Sequence, residues 1–287
     1  MILAIVGPTG VGKTKMSVAL AKKYNADVIS SDSMQVYKKM DIATAKVTEE
    51  EKEGVKHHLI DIKNVEDDYS VFDYQRDARR ILNGLISDNK NVIIVGGTGL
   101  YLKALLYDYK FNVQKEKKDF SSYTNKELYD MVLKIDKDSK IHLNNRQRLE
   151  SFLNNHGKSV NITNKMLYDA KIIGLTRSRN ELYDVINKRV DKMFDDGLLD
   201  EARYFYDLKI NSKALNTAIG YKELFLYFDG KISLDEAKEL IKKRSRNYAK
   251  RQYTWFNNQM DTKWFMVDPN NFNNTINDVI SFIETGK

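Results

Sequence analysis

The sequence has no cysteine, only two prolines and four histidines, and its apolar runs are short. Without cysteine, disulfide bonds, thiolate metal sites and a cysteine nucleophile are excluded. The histidines show no zinc-ligand spacing, and no run approaches the ~18 apolar residues of a membrane-spanning helix. The opening residues, MILAIVGPTG, lack the positive region and the cleavage site of a secretion signal. These absences predict a soluble, cytoplasmic protein without a membrane partner.

Lysine and arginine exceed aspartate and glutamate by 47 to 40, which gives a net charge of +7 over 287 residues. A basic balance favours an anionic partner, although abundant lysine is also typical of AT-rich coding. The position of the charge therefore matters more than its total. A hydrophobic fraction of 42% suffices for one large core with a modest appended domain.

Apolar, β-favouring runs alternate with helical patterns along most of the chain. Strands are predicted over residues 2–6, 27–30, 58–62, 91–95 and 171–175. Alternating strands and helices are typical of the α/β class, with a doubly wound parallel sheet.

The segment 109–169 is strongly polar and shows no convincing β run. Helices are predicted at about 127–135 and 146–155. We therefore predict a helical insertion between the two parts of an α/β core, residues 1–108 and 170–287. Near the carboxyl end, Ser233 and Glu236 form a capping box that opens a long basic helix.

The segment GPTGVGKT matches the P-loop pattern and lies between a predicted strand and a predicted helix. In such a loop, backbone N–H groups and the helix N-terminus bind phosphate, the lysine adds a charge, and the last hydroxyl binds magnesium. The pattern predicts a P-loop NTPase-like core and a magnesium cofactor held by Thr14. The predicted diphosphate-binding loop comprises Gly7, Pro8, Thr9, Gly10, Val11, Gly12, Lys13 and Thr14.

Two further strand ends indicate which phosphoryl chemistry takes place. In ordinary P-loop NTPases an apolar strand ends in an aspartate that holds magnesium, whereas strand 91–95 runs into Gly96. Strand 27–30 is instead followed by Asp32, at the same sheet edge as the P-loop. Hydrolysis and phosphoryl transfer are therefore disfavoured. On local sequence alone, Asp32 could also be a turn residue and Thr98 a helix N-cap.

Six motifs occur in one order: GPTGVGKT, SSDSMQVYKKMDIATAK, HHLIDI, VGGTGLYLKALL, AIGYKE and AKRQYTWF. In order and spacing the chain resembles the bacterial tRNA dimethylallyltransferase family. The resemblance implies that dimethylallyl diphosphate occupies the P-loop site. It also implies that the acceptor is the exocyclic amine of the adenosine immediately 3′ of the anticodon.

The resemblance implies catalytic roles for Asp32, Thr98 and Lys13. A carboxylate that accepts a proton from the adenine amine would aid its attack, so Asp32 is the expected general base. Thr98 is expected beside the reacting centre. Arg179 and Arg189 stand where the family has arginines that bind diphosphate, and surface helix charge is the alternative.

The implied partner is the anticodon stem-loop of tRNA, from which the adenine must be extruded to reach a buried site. Basic and aromatic residues interleave along the carboxy-terminal helix, which suits RNA, although its aromatic rings could instead pack inward. The implied tRNA contacts are Asp32, Ser33, Met34, Gln35, Thr98, Asn145, Arg146, Gln147, Arg148, Leu149, Ile219, Gly220, Tyr221, Lys222, Lys250 and Arg251.

Two other functions compete with prenyl transfer. A nucleoside or nucleotide kinase shares the P-loop and an acidic residue near the second strand, but leaves the RNA-binding features unexplained. A non-catalytic RNA-binding P-loop protein is the second. No heptad run is legible in the sequence, so a monomer is expected.

Overall fold

The computed structural model describes residues 1–111, 118–154 and 162–286. It divides into a core unit, Met1–Leu106 with Tyr168–Lys287, and an inserted unit, Tyr107–Leu167. The inserted unit begins at residue 107 and ends at residue 167, against predicted bounds of 109 and 169.

Strands appear in both units. In chain order they are β1 (Ile2–Val6), β2 (Ala26–Ser30), β3 (His57–His58), β4 (Asn91–Val95), β5 (Tyr107–Tyr109), β6 (Ile162–Met166), β7 (Ala170–Thr176) and β8 (Lys263–Met266). The core unit holds a six-stranded sheet in the order β3-β2-β4-β1-β7-β8. Every pairing in it is parallel. The predicted doubly wound α/β fold is confirmed.

Helices follow most strands. They are α1 (Lys13–Tyr24), α2 (Glu49–Lys52), α3 (Val71–Ser87), α4 (Gly99–Leu106), α5 (Asn125–Ile135), α6 (Arg146–Asn154), α7 (Arg179–Asp195), α8 (Leu198–Asp207), α9 (Lys213–Thr217), α10 (Tyr221–Phe228), α11 (Leu234–Gln259) and α12 (Phe272–Thr285). The Ser233–Glu236 capping box opens α11 as predicted.

The core lies on both sides of β1, whose five residues are all buried. Leu3 and Ile5 of this strand belong to one apolar cluster with Leu20 of α1 and Val279 of α12. A strand covered on both faces reads as a continuous apolar run, which explains why β1 was predictable. No helix among the described residues is both long and apolar enough to cross a membrane.

The strand predicted over residues 58–62 is wrong in extent, because β3 ends at His58. Leu59 and Asp61 have φ angles of 64° and 56°, in the left-handed region. That conformation interrupts the extended backbone of a strand. The apolar residues that suggested a strand instead belong to a turn.

In the inserted unit, α5 and α6 match the two predicted helices, and residue 155 of the second prediction lies outside the described residues. Leu128 and Val132 of α5 pack with Leu149 of α6 in a small separate core. The expectation of no strand was wrong, since β5 and β6 pair antiparallel. The two strands are far apart in sequence, and β5 has only three residues, so no local pattern shows their pairing.

Candidate active site

A cavity of about 600 Å³ opens where β1, β2 and β4 end, and all residues that line it belong to the core unit. Ligands of open α/β sheets bind at this edge. Fourteen of the predicted site residues line it: Thr9, Gly10, Gly12, Lys13, Thr14, Asp32, Ser33, Met34, Gln35, Arg189, Ile219, Gly220, Lys222 and Arg251.

Glycine is required at the turns of the P-loop. Gly7 and Gly12 have φ angles of 137° and 96°, which L side chains rarely adopt. A Cβ atom at Gly7 would lie 2.4 Å from the carbonyl oxygen of Leu175. Gly12 is also the N-cap of α1. The first N–H groups of any helix lack an intrahelical acceptor, and glycine offers them no side-chain acceptor either. This helix start is suited to bind an anion.

Lys13 folds back onto the loop that precedes it. Its Nζ donates hydrogen bonds to the carbonyl oxygens of Gly7 at 3.0 Å and Pro8 at 2.9 Å. Burial and the nearby Arg189 lower the pKa of Lys13 to about 7, and Asp32 acts in the opposite direction. A polyvalent anion in the cavity would favour the charged form of this lysine.

Arg189 of α7 is the second cation at the loop. Its guanidinium donates to the Thr9 hydroxyl at 3.0 Å. Burial lowers the pKa of Arg189, and Asp32 is the first of the charges that offset this effect. When Lys13 is protonated, it and Arg189 place two cations beside one carboxylate, which leaves an excess of positive charge where the P-loop would hold phosphate.

Asp32 is both a turn residue and a cavity residue. Its Oδ1 accepts the backbone N–H groups of Met34 at 2.9 Å and Gln35 at 3.3 Å, so the turn interpretation is correct. Oδ2 takes part in neither bond, and Asp32 lines the cavity with Lys13. The turn holds the carboxyl group and leaves one oxygen for a ligand.

Thr98 immediately precedes α4, and its carbonyl oxygen accepts the N–H of Leu102 at 3.3 Å, so it occupies the N-cap position of this helix. The Oγ1 atom of Thr98 accepts the N–H of Ser33 at 3.1 Å and lies 3.2 Å from the Ser33 hydroxyl. Its own N–H donates to the carbonyl oxygen of Ser31 at 3.2 Å. Thr98 does not line the cavity. It is bonded to the segment on both sides of Asp32, which places it one contact away from the proposed base.

The segment after α9 contributes four residues to the cavity and one to the core. Ala218, Ile219, Gly220 and Lys222 line the cavity. Tyr221 is fully buried, and its hydroxyl donates to Glu201 at 2.7 Å. The expected tRNA contact at Tyr221 is therefore a packing and hydrogen-bonding position.

Helix α11 adds charge and a hydroxyl to the cavity wall. Arg244 and Arg251 line it, as does Tyr248. Arg244 pairs with the fully buried carboxylate of Glu223. Burial and Asp32 raise the pKa of Tyr248, so its hydroxyl remains protonated near the carboxylate. Lys250 is exposed and lies outside the cavity lining.

Other predicted site residues also lie outside the cavity lining. Arg179 is exposed at the start of α7, where its guanidinium lies 5.3 Å from the ring centroid of Tyr183. It matches the alternative, surface helix charge. Val11 is fully buried in the apolar core, so its side chain packs beneath the P-loop.

The residues 145–149 of the inserted unit have largely structural contacts. Arg146 donates to the carbonyl oxygens of Phe120 at 2.7 Å and Tyr123 at 2.8 Å. Leu149 is fully buried. Asn145 accepts the N–H of a residue in the first turn of α6. The members of this segment with exposed side chains are Gln147 and Arg148.

Two residues that were not predicted as site residues, Glu201 and Gln252, also shape the site. Glu201 accepts three backbone N–H groups from residues 41–43, a segment that precedes it by more than 150 positions. Gln252 bonds to the P-loop from α11. The spacing of AKRQYTWF placed Gln252 in a motif, but nothing local indicated its contacts.

A family model and curated relatives of this chain name the same kind of enzyme. Residues 35–259 match the model of a family described as IPP transferase. The chain is 43% identical to the tRNA dimethylallyltransferase of Anoxybacillus flavithermus, over 99% of this chain and 96% of that protein. The Bacillus subtilis tRNA dimethylallyltransferase is also 43% identical, over 93% of this chain and 91% of its own.

Solved structures agree with these relatives. The full-length tRNA isopentenylpyrophosphate transferase of Bacillus halodurans has a TM-score of 0.78 and 42% identity, over 99% of this chain and 95% of that chain. A eukaryotic dimethylallyltransferase acting on tRNA has a TM-score of 0.79 at 27% identity, over 99% of this chain and 79% of its own.

Proposed function

The chain belongs to the IPP transferase family, and we propose that it transfers a dimethylallyl group from dimethylallyl diphosphate to the exocyclic amine of the adenosine immediately 3′ of the anticodon in tRNA. One observation carries the proposal. Lys13 and Thr14 of the P-loop line the same cavity as Asp32, so an anion site and a proton acceptor meet at one sheet edge.

The reaction brings the adenine amine, the allylic diphosphate and the carboxylate of Asp32 together in this cavity. The adenine amine attacks the allylic carbon, the carbon–oxygen bond to diphosphate breaks, and the proton of the amine passes to Asp32. Lys13 and Arg189 stabilise the charge that gathers on the leaving diphosphate, with the N–H groups at the start of α1. Because this charge is larger in the transition state than in the bound substrate, these donors accelerate the step as well as bind the substrate.

The residues fit the magnesium ion expected with a diphosphate. Magnesium keeps several waters and takes one or two protein oxygens together with substrate phosphates. The Thr14 hydroxyl lines the cavity, and the described residues contain no cluster of three His, Asp or Glu that could form a closed metal cage. We assign Thr14 as the protein ligand. The ion would neutralise charge on the diphosphate.

Basic side chains at the cavity and on α11 support the tRNA part of the proposal. Lys222 and Arg251 line the cavity, where they would contact phosphates around an extruded adenine. Lys250 is exposed next to Arg251 on α11. In the inserted unit, Gln147 and Arg148 are the exposed members of the predicted contact segment 145–149.

We propose that the protein acts as a monomer, since its sequence shows no heptad run. We place this activity in the cytoplasm, where tRNA and a soluble diphosphate donor meet.

The test is incubation of the full chain with dimethylallyl diphosphate, magnesium and unmodified tRNA, followed by mass analysis of the digested nucleosides. We expect one adenosine to gain a five-carbon prenyl unit. The matched control is a transcript with guanosine at the position 3′ of the anticodon, which should gain nothing. Transfer of labelled γ-phosphate from ATP to a small acceptor would indicate a kinase. Binding of tRNA without any gain in mass would indicate a non-catalytic protein.

A further inference from the structure

Gln252 lies on α11 with only 5% of its surface exposed. A buried amide must satisfy its donor and its acceptor, or its burial costs free energy. Both ends are satisfied by the backbone of other elements. The Oε1 atom accepts the N–H of Thr9 in the P-loop at 2.8 Å, and Nε2 donates to the carbonyl oxygen of Gly97 at 3.0 Å.

The two bonds need a hydrogen-bond donor and an acceptor at the same distance from the helix, and the glutamine amide provides both. Glutamate would lack the donor for Gly97, and methionine would lack both groups. The turn after β4 leaves room for the amide only because residue 97 is glycine: a Cβ atom there would lie 2.0 Å from Nε2 of Gln252. Gly97 is therefore matched to this side chain.

The turn that Gln252 holds continues directly into Thr98. The Thr98 hydroxyl binds Ser33, the residue that follows Asp32. A short path of contacts thus joins the P-loop to the carboxylate: Thr9 to Gln252, Gln252 to Gly97, and Thr98 to Ser33. The two ends of this path are the parts that must hold the diphosphate and accept the proton.

We propose that Gln252 is a positioning residue that fixes the P-loop relative to Asp32, an inference that rests on the proposed prenyl transfer. Gln252 borders the cavity, but both ends of its amide are bonded to backbone groups, so in this assignment it acts through the P-loop and not on a substrate. It sets the separation between the leaving group and the base, so its loss reduces the rate of the bound complex more than the binding of either substrate. Misplacement of reacting groups by ~1 Å can cost about 100-fold in rate.

The chain offers a matched control in Gln75 of α3. This glutamine is also buried, at 9% exposure, and its Nε2 donates to the carbonyl oxygen of Ala104 at 2.8 Å. It does not line the cavity. A merely structural role for Gln252 predicts the same outcome for the same substitution at both positions.

The test compares Gln252→Met and Gln75→Met in the full chain. For Gln252→Met we expect kcat to fall about 100-fold while KM for dimethylallyl diphosphate changes less than about threefold. Gln75→Met should keep both constants within about threefold of the wild type. A Gln252→Met enzyme with kcat within about fivefold of the wild type, or a loss that falls on KM alone, overturns the assignment.

A second readout does not depend on catalysis. Hydrogen exchange of the peptide that spans residues 7–12 should be at least ~10-fold faster in Gln252→Met than in the wild type, and unchanged in Gln75→Met. Equal exchange in all three proteins overturns the inference. If the wild type transfers no prenyl group, the proposed function fails, and this exchange comparison still decides whether Gln252 holds the P-loop.

Should Gln252→Met fail to fold, Gln252→Asn takes its place with the same expected results. Asparagine keeps a polar amide but is one methylene too short to reach both partners from the same helix position.

Discussion

The hydroxyl of Tyr221 donates a 2.7 Å hydrogen bond to Oε1 of Glu201, and the same carboxylate accepts the N–H groups of residues 41–43 at 2.7–3.0 Å. Burial and Glu201 raise the pKa of Tyr221, which therefore remains a neutral donor. Ala43 lines one part of the cavity and Gly220 another. Glu201 thus holds together two segments of the cavity wall.

We expect Glu201→Gln to destabilise the fold by about 2 kcal/mol, because hydrogen bonds to a charged group contribute more than those to an amide. In addition, one end of the amide would present N–H groups to backbone donors. Urea unfolding measures the change. The control is Glu239→Gln, whose carboxylate is 67% exposed and pairs with Lys242, and which should stay within ~0.5 kcal/mol. Equal stability of the two variants would contradict this role of Glu201.

Asp32→Asn separates the turn from the proposed base. An asparagine Oδ1 can still accept the N–H groups of Met34 and Gln35, so the turn is retained. It can no longer accept the proton of the adenine amine, and we expect kcat to fall ~10²- to 10⁴-fold. The affinity for tRNA should change only a few fold, as measured by filter binding.

Asp32→Ala removes the turn bonds as well. It should nearly abolish transfer and lose stability that Asp32→Asn keeps, again with tRNA affinity within a few fold. Loss of tRNA binding in step with activity in Asp32→Asn would assign the residue a structural role instead.

Elements with a local signal were predictable from the sequence. Strand β1 is a continuous apolar run, and Ser233 with Glu236 forms a capping box, so both are visible within a few residues. The P-loop and Asp32 could be placed at one sheet edge because parallel strands share a carboxyl edge. Local patterns sufficed wherever neighbours in sequence determine the structure.

Long-range contacts could not be predicted in this way. Strand β5 finds its partner strand far along the chain, since Tyr107 pairs with Met166 and Tyr109 with Ile162. Glu201 and Gln252 act on backbone groups far away in sequence, and backbone groups have no residue type that a pattern could detect. Arg179 shows a related limit. Its position in the family motif predicted a diphosphate contact, but its side chain lies against Tyr183 at the surface.

The pKa of Lys13 gives a pH dependence of stability. Burial and Arg189 lower this pKa from 10.5 to about 7. Between these values the unfolded chain binds a proton at Lys13 that the folded chain does not, so the contribution of this residue to stability rises with pH from about 7 to 10.5. Below pH 7 the charged, desolvated lysine is a constant cost.

We expect the free energy of unfolding of the ligand-free protein to rise more steeply over this window in the wild type than in Lys13→Met. Urea titrations at several pH values measure it. The exposed Lys15 of the same helix provides the control, since Lys15→Met should follow the wild-type slope. Parallel slopes for the wild type and Lys13→Met would show that Lys13 is charged throughout.

Gly96 and Gly84 should respond to alanine in opposite directions. A Cβ atom at Gly96 would lie 2.3 Å from the carbonyl oxygen of Ser31 and 2.8 Å from its Cα, and backbone atoms cannot move aside without displacing the segment that carries Asp32. We expect Gly96→Ala to cost about 1–3 kcal/mol of stability, as overpacking does, and to reduce transfer.

Gly84 lies on the exposed side of α3, and nothing lies within 4 Å of the Cβ that alanine would add. Gly84→Ala should stabilise the protein by about 0.5–1 kcal/mol, because alanine loses less backbone entropy in a helix than glycine does. Its transfer activity should equal that of the wild type. Thermal unfolding and transfer assays on both variants decide the matter: a Gly96→Ala protein as stable and active as Gly84→Ala would mean that the end of β4 does not constrain the position of Asp32.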